Sequence, residues 1–107
     1  MNNHQTLLPQ FSVRVSKVEF VLKALKACTH YSKLSKQILE ESNACDTEGS
    51  LRRIYTGYYL NYRELSKRVT NIINMVNISS DEFVDVTEDI YKLIYKYESY
   101  LVYTLFP

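Results

Sequence analysis

The stretch Leu51–Val76, LRRIYTGYYLNYRELSKRVTNIINMV, decides the fold. Within it Leu51, Ile54, Tyr58, Tyr62, Leu65, Val69, Ile72 and Val76 follow one another at spacings of 3-4-4-3-4-3-4. A helix turns 100° per residue, so this spacing lines all eight side chains along one face as a heptad seam. The stretch therefore predicts a long amphipathic helix with an apolar stripe that needs a partner.

Working outward, Ser42–Thr47 is polar and predicts a loop, with Asp46 or Thr47 able to cap the following helix. Upstream of it, no glycine or proline occurs between Pro9 and Gly49. Ser12 is a good helix N-cap, and Val15, Val18, Leu22 and Leu25 form a helical stripe; Phe20, Ala24 and Ala27 form a second one. After Leu25 the apolar positions move to Cys28, Tyr31, Leu34 and Ile38. Either the helix breaks near Thr29-His30, or one helix runs from about 12 to 43 and is apolar on two sides. The continuous helix is the expectation, because Thr-His-Tyr-Ser contains no breaker. Downstream, Asn77–Ser80 predicts a second loop, and Ser79 with Glu82 matches a capping box. Phe83, Thr87, Ile90, Ile94, Tyr97 and Leu101, at 4-3-4-3-4, predict a third helix.

Short loops between long amphipathic helices make sequential helices antiparallel neighbours. The expected fold is all-α: an antiparallel up-down bundle of three long helices, or four if the first breaks near residue 29. Residues 1–10 are expected to be a flexible lead-in and residues 11–107 a single domain. Two glycines and two prolines in 107 residues agree with long helices and exclude a turn-rich all-β fold. No apolar run approaches the ~18 residues of a membrane span. MNNHQTLLPQ, at the N-terminus, lacks the charged and apolar regions of a signal peptide, so a cytoplasmic location is expected. Cys28 and Cys45 are too few for a stapled secreted domain and are expected to be free thiols, the first packed and the second in a loop.

The net charge of +1 conceals an uneven distribution. Arg14, Lys17, Lys23, Lys26, Lys33 and Lys36 oppose only Glu19 in the first helical stretch, and Arg52, Arg53, Arg63, Lys67 and Arg68 oppose only Glu64 in the second. The third carries six acids against Lys92 and Lys96. Two outcomes follow. Basic and acidic helices can lie side by side and neutralise one another, or a basic face stays open to an acidic partner.

The tyrosines divide similarly. Tyr58 and Tyr62 lie on the seam, opposite the small Cys28, Ser32 and Ser35 of the first helix, and are expected in the core. Tyr55 and Tyr59 lie on its flank, and Gly57 points outward with Arg53. An exposed glycine in a helix costs about 1 kcal/mol against alanine and can mark close approach by another backbone. Tyr91 and Tyr95 form a second stripe on the third helix.

The sequence carries no recognisable catalytic or metal-binding motif. His4 and His30 are the only histidines and have no zinc or di-iron spacing; His30 is expected at a helix surface. There is no glycine-rich phosphate loop and no nucleophile with an evident base. The reading is a non-enzymatic protein-binding module, an inhibitor or adaptor, without cofactor or metal. The candidate contact residues are Arg52, Arg53, Tyr55, Gly57, Tyr59, Arg63, Lys67, Tyr91 and Tyr95. Arginine interleaved with tyrosine also suits nucleic acid, which is the first alternative. A homo-oligomer using Tyr91, Tyr95, Tyr103 and Phe106 is the second. The abundance of asparagine, isoleucine, lysine and tyrosine suggests an AT-rich coding source such as a phage or mobile element, with a host enzyme or defence complex as the target.

Overall fold

The computed structural model describes residues 11–44 and 50–100. The expected lead-in, most of the first loop with Cys45, and the tail with Leu101, Tyr103 and Phe106 lie outside the described residues. The described residues are mostly helical, and their first element is a strand. Strand β1 spans Ser12–Ser16, helix α1 Lys17–Asn43 and helix α2 Ser50–Ile78. Strand β2 follows at Phe83–Thr87, then helix α3 at Glu88–Tyr95 and a single 3-10 turn at Tyr97–Ser99.

Helices α1 and α2 form the expected antiparallel hairpin, and α1 does not break at residue 29. Contacts between them run in opposite directions along the two chains. Lys17 Nζ donates to the Ser79 carbonyl, Cys28 Sγ lies 3.3 Å from both Ser66 Oγ and Thr70 Oγ1, and Ser35 Oγ donates to the Tyr59 carbonyl at 3.4 Å. Ser32 and Ser66 hydroxyls meet at 2.9 Å. Small side chains along this seam let the helices approach closely, and the hydroxyls satisfy one another there.

The expected third long helix is replaced by β2 and the eight-residue α3. The expected start of α1 at Ser12 likewise moves to Lys17, because Ser12–Ser16 is strand. The cause is a competing period. SVRVS and FVDVT each alternate β-branched and polar residues, which suits a half-buried strand. The two pair antiparallel with Ser12 opposite Thr87 and Ser16 opposite Phe83. Val13, Val15, Val84 and Val86 turn inward while Arg14, Phe83, Asp85 and Thr87 face out. Lys17 N extends the ladder to Glu82 O at 2.8 Å.

Each strand feeds its helix in the same way. The last strand residue, already extended, becomes the N-cap: Ser16 at φ −69°, ψ 145° and Thr87 at φ −76°, ψ 168°. Ser16 Oγ accepts from Glu19 N at 3.1 Å, which satisfies one of the open amides of the first turn. The expected capping box at Ser79 does not form; Ser79 Oγ instead accepts from Asp81 N at 3.1 Å and turns the chain out of α2 toward β2.

The core contains Phe20, Ala24, Ala27 and Tyr31 of α1, Val69 and Ile73 of α2, Val86 of β2, and Leu93 and Ile94 of α3. Fully burying each large aliphatic or phenylalanine contributes about 1.5–3 kcal/mol. The stripe buried on α1 is therefore Phe20-Ala24-Ala27, and the expected first stripe, Val18, Leu22 and Leu25, stays outside. The buried stripe is the one collinear with Tyr31, Leu34 and Ile38 at 4-3-4-3-4, so one face serves the whole helix. Tyr58 and Tyr62 are half-buried rather than sealed, and Leu51 and Ile54 are exposed. Helix α3 packs on the first half of α1, and is too short to reach the part of the hairpin that holds Leu51 and Ile54.

Candidate functional site

The outer face of α2 carries a shallow trough. One concavity of about 490 Å³ is lined by Arg52, Arg53, Thr56, Gly57 and Leu60. The next, about 380 Å³, is lined by Leu60, Asn61, Arg63, Glu64 and Lys67. They share Leu60, which is 52% exposed. The trough exists because α2 continues past the third layer with its seam toward α1 and these positions turned away. Gly57 supplies the notch: with no Cβ, the helix surface dips there. Two side chains bond back along the helix, Thr56 Oγ1 to Arg52 O at 2.9 Å and Asn61 Nδ2 to Gly57 O at 3.4 Å.

Its charge is one-sided. Arg52, Arg53, Arg63 and Lys67 are exposed, and Glu64 is the one carboxylate lining the trough. Among the described residues the single ion pair is Lys92 with Glu88 at 3.2 Å, inside α3. The acidic β2 and α3 pack on the basic β1 and α1, with Asp85 opposite Arg14, while no ion pair joins them to α2 among the described residues.

The nine candidate contact residues do not form one surface. Arg52, Arg53, Gly57, Arg63 and Lys67 share the trough. Tyr55 and Tyr59 are half-buried on the flank of the same helix. Tyr91 and Tyr95 sit apart, on α3 against the start of α1. Their rings stack at 4.9 Å and 2°, with Phe11 5.3 Å from Tyr91 and Phe20 6.4 Å from Tyr95. Tyr95 Oη donates to Glu19 at 3.4 Å, and Lys23 Nζ lies 6.0 Å from the Tyr95 ring centroid. Burial, then the Glu19 carboxylate, pushes the Tyr95 phenol up to about 12. Tyr91 and Tyr95 thus pack the molecule together rather than extend the α2 trough.

Tyr31, Tyr62, His30 and Cys28 are drawn into the packing. Tyr31 is fully buried and donates to the Leu93 carbonyl at 2.6 Å; burial, then Tyr100 and Tyr62, holds its phenol far above the usual tyrosine range. Burial, then Tyr58, also raises Tyr62. His30, expected at a helix surface, is half-buried between Tyr31 at 5.8 Å and Tyr97 at 5.0 Å. Cys28 is a free, half-buried thiol facing hydroxyls. Among the described residues no three His, Cys, Asp or Glu side chains converge to hold a metal ion, and no helix is long and apolar enough to cross a membrane.

The basic stretch at 52–68 was visible in the sequence. The trough itself was not, because it depends on which α2 face α1 covers. No protein-family model matches the chain, and comparison with curated proteins and with solved structures found no match.

Proposed function

We propose that this chain is a non-enzymatic binding module that seats the α2 trough on an acidic surface of a partner protein, as an inhibitor or adaptor. The observation that supports the reading is the convergence of Arg52, Arg53, Arg63 and Lys67 around Leu60 and Gly57, with no ion pair to them among the described residues. Arginine is enriched in interface hot spots, where an apolar residue ringed by charge gives both burial and specificity. A protein surface suits this trough better than nucleic acid. Leu60 stands at its centre, and the half-buried Tyr55 and Tyr59 do not offer open ring faces for stacking. The abundance of asparagine, isoleucine, lysine and tyrosine agrees with an AT-rich coding source. On that ground we take the chain as a phage or mobile-element protein acting in the host cytoplasm on a host enzyme or defence complex.

The test is capture from the native host with the tagged chain, followed by quantitative binding of the recovered partner. Arg53→Ala and Tyr59→Ala each weaken that binding by about tenfold or more, a hot-spot loss of ~1.4 kcal/mol or above. The melting temperature of Arg53→Ala stays unchanged. Undiminished binding by both variants refutes the site. Binding that moves to DNA or RNA and falls steeply with salt refutes the protein partner.

A further inference from the structure

Helix α1 carries two apolar stripes and the core uses one. The other, Val18, Leu22 and Leu25, is spaced i, i+4, i+7 and remains 71%, 57% and 49% exposed. A surface helix of a globular protein ordinarily shows one apolar stripe with polar residues opposite it. The stripe borders a concavity of about 340 Å³, lined by Ser16, Val18, Glu19, Leu22, Lys23 and Lys26. Ser16 is the cross-strand partner of Phe83, which lines a second concavity of about 280 Å³ together with Met75. Phe83 and Met75 are themselves 49% and 71% exposed. The concavity beside Phe83 is also lined by Asp81 and Asp85, and Arg14 lies over the Phe83 ring, so the exposed apolar surface that is bordered by lysines is the α1 stripe itself. An exposed apolar stripe of this kind marks an interaction surface. Further along α1, Lys26, Lys33 and Lys36 are exposed, and the single ion pair among the described residues lies elsewhere.

We propose that this face of α1 docks an amphipathic helix of a partner protein whose apolar stripe is flanked by carboxylates. The i, i+4, i+7 spacing matches the ridges of a helix lying alongside, and the lysines select for acid at its flanks. A second copy of this chain suits the face less well than an acidic helix, because it would present the same lysine-bearing α1 rather than carboxylates. The site is distinct from the α2 trough and stands or falls separately from it.

The probe is a synthetic amphipathic helix with a leucine face flanked by glutamates, titrated into the full chain, with a lysine-flanked counterpart as control. The glutamate peptide binds, and the control binds at least about tenfold more weakly. The double variant Leu22→Ser, Leu25→Ser loses about tenfold or more of the binding while its circular dichroism spectrum is unchanged. Lys26→Glu reverses the preference toward the lysine peptide, whereas Arg53→Ala in the α2 trough has no effect. Absent binding, or equal binding of the two peptides, overturns the proposal. So does a dimer that Leu22→Ser dissolves, which assigns the face to a second copy. Flotation with anionic vesicles that the double variant abolishes assigns it to lipid and overturns it too.

Discussion

Tyr31 ties α1 to α3 through one hydrogen bond whose loss can be measured cleanly. Its hydroxyl donates to the Leu93 carbonyl at 2.6 Å, and both residues are fully buried. Leu93 lies in the last turn of α3, where carbonyls lack helical partners. The backbone of that turn closes only one of these, with Lys96 N donating to Lys92 O at 3.2 Å, and Tyr31 satisfies the next. Tyr31→Phe keeps the ring, and with it the contacts to Tyr62 and Tyr100 at 6.3 and 6.2 Å, but strands the carbonyl away from water. An unsatisfied buried acceptor costs about 1–3 kcal/mol. For a domain near this size each kcal/mol moves the melting temperature by about 4–8 °C. Taking ~2 kcal/mol, thermal unfolding should fall by roughly 8–16 °C. Hydrogen exchange should also accelerate at the end of α3 more than in α2. The control is Tyr95→Phe, whose long, exposed bond to Glu19 is worth under about 0.5 kcal/mol. A Tyr31→Phe loss below about 0.5 kcal/mol, no more than a surface substitution costs, would show that this bond does not hold α3 in place.

Alkaline pH should unfold the chain early. A phenol whose pKa is raised on folding favours the folded state below its unfolded value of 10.0, and that contribution is lost as pH rises toward the folded value. Urea stability should therefore be flat below pH ~10 and decline toward ~12 as Tyr95 and Tyr31 are forced to ionise; a flat profile across that window refutes the burial assigned to them. Ser16→Ala removes the acceptor of Glu19 N and should cost about 0.5–2 kcal/mol in denaturant melts, with Ser12→Ala near neutral. If the order is reversed, α1 begins at the strand and not after it. Gly57→Ala should stabilise α2 by about 0.5–1 kcal/mol while weakening partner binding, because the methyl group fills the notch. Stabilisation with full binding would remove Gly57 from the interface.

Two long helices were legible because their signal is local. The Leu51–Val76 seam and the glycine-free, proline-free run before Gly49 act over a few turns, and both α1 and α2 form as that pattern requires. Which face of α1 would be buried was open. Val18, Leu22 and Leu25 are larger than Ala24 and Ala27, but only the alanine-bearing stripe stays in phase with Tyr31, Leu34 and Ile38. The hairpin needs one continuous face, so phase outweighed bulk. The strands were hidden for another reason. FVDVT carries both periods at once, a helical one through Phe83, Thr87 and Ile90 and an alternating one through Val84 and Val86. The choice between them rests on SVRVS, which lies opposite it in space though far from it in the chain. Pairing over that separation is a tertiary event, and it turned the expected third helix into a ribbon and a short α3. The arginines of α2 were plain from composition. Helical spacing already set Arg53 and Gly57 on one outward face. That this face stays uncovered among the described residues, and apart from Tyr91 and Tyr95, was decided by packing, because α1 covers the other side of α2 and α3 packs on α1.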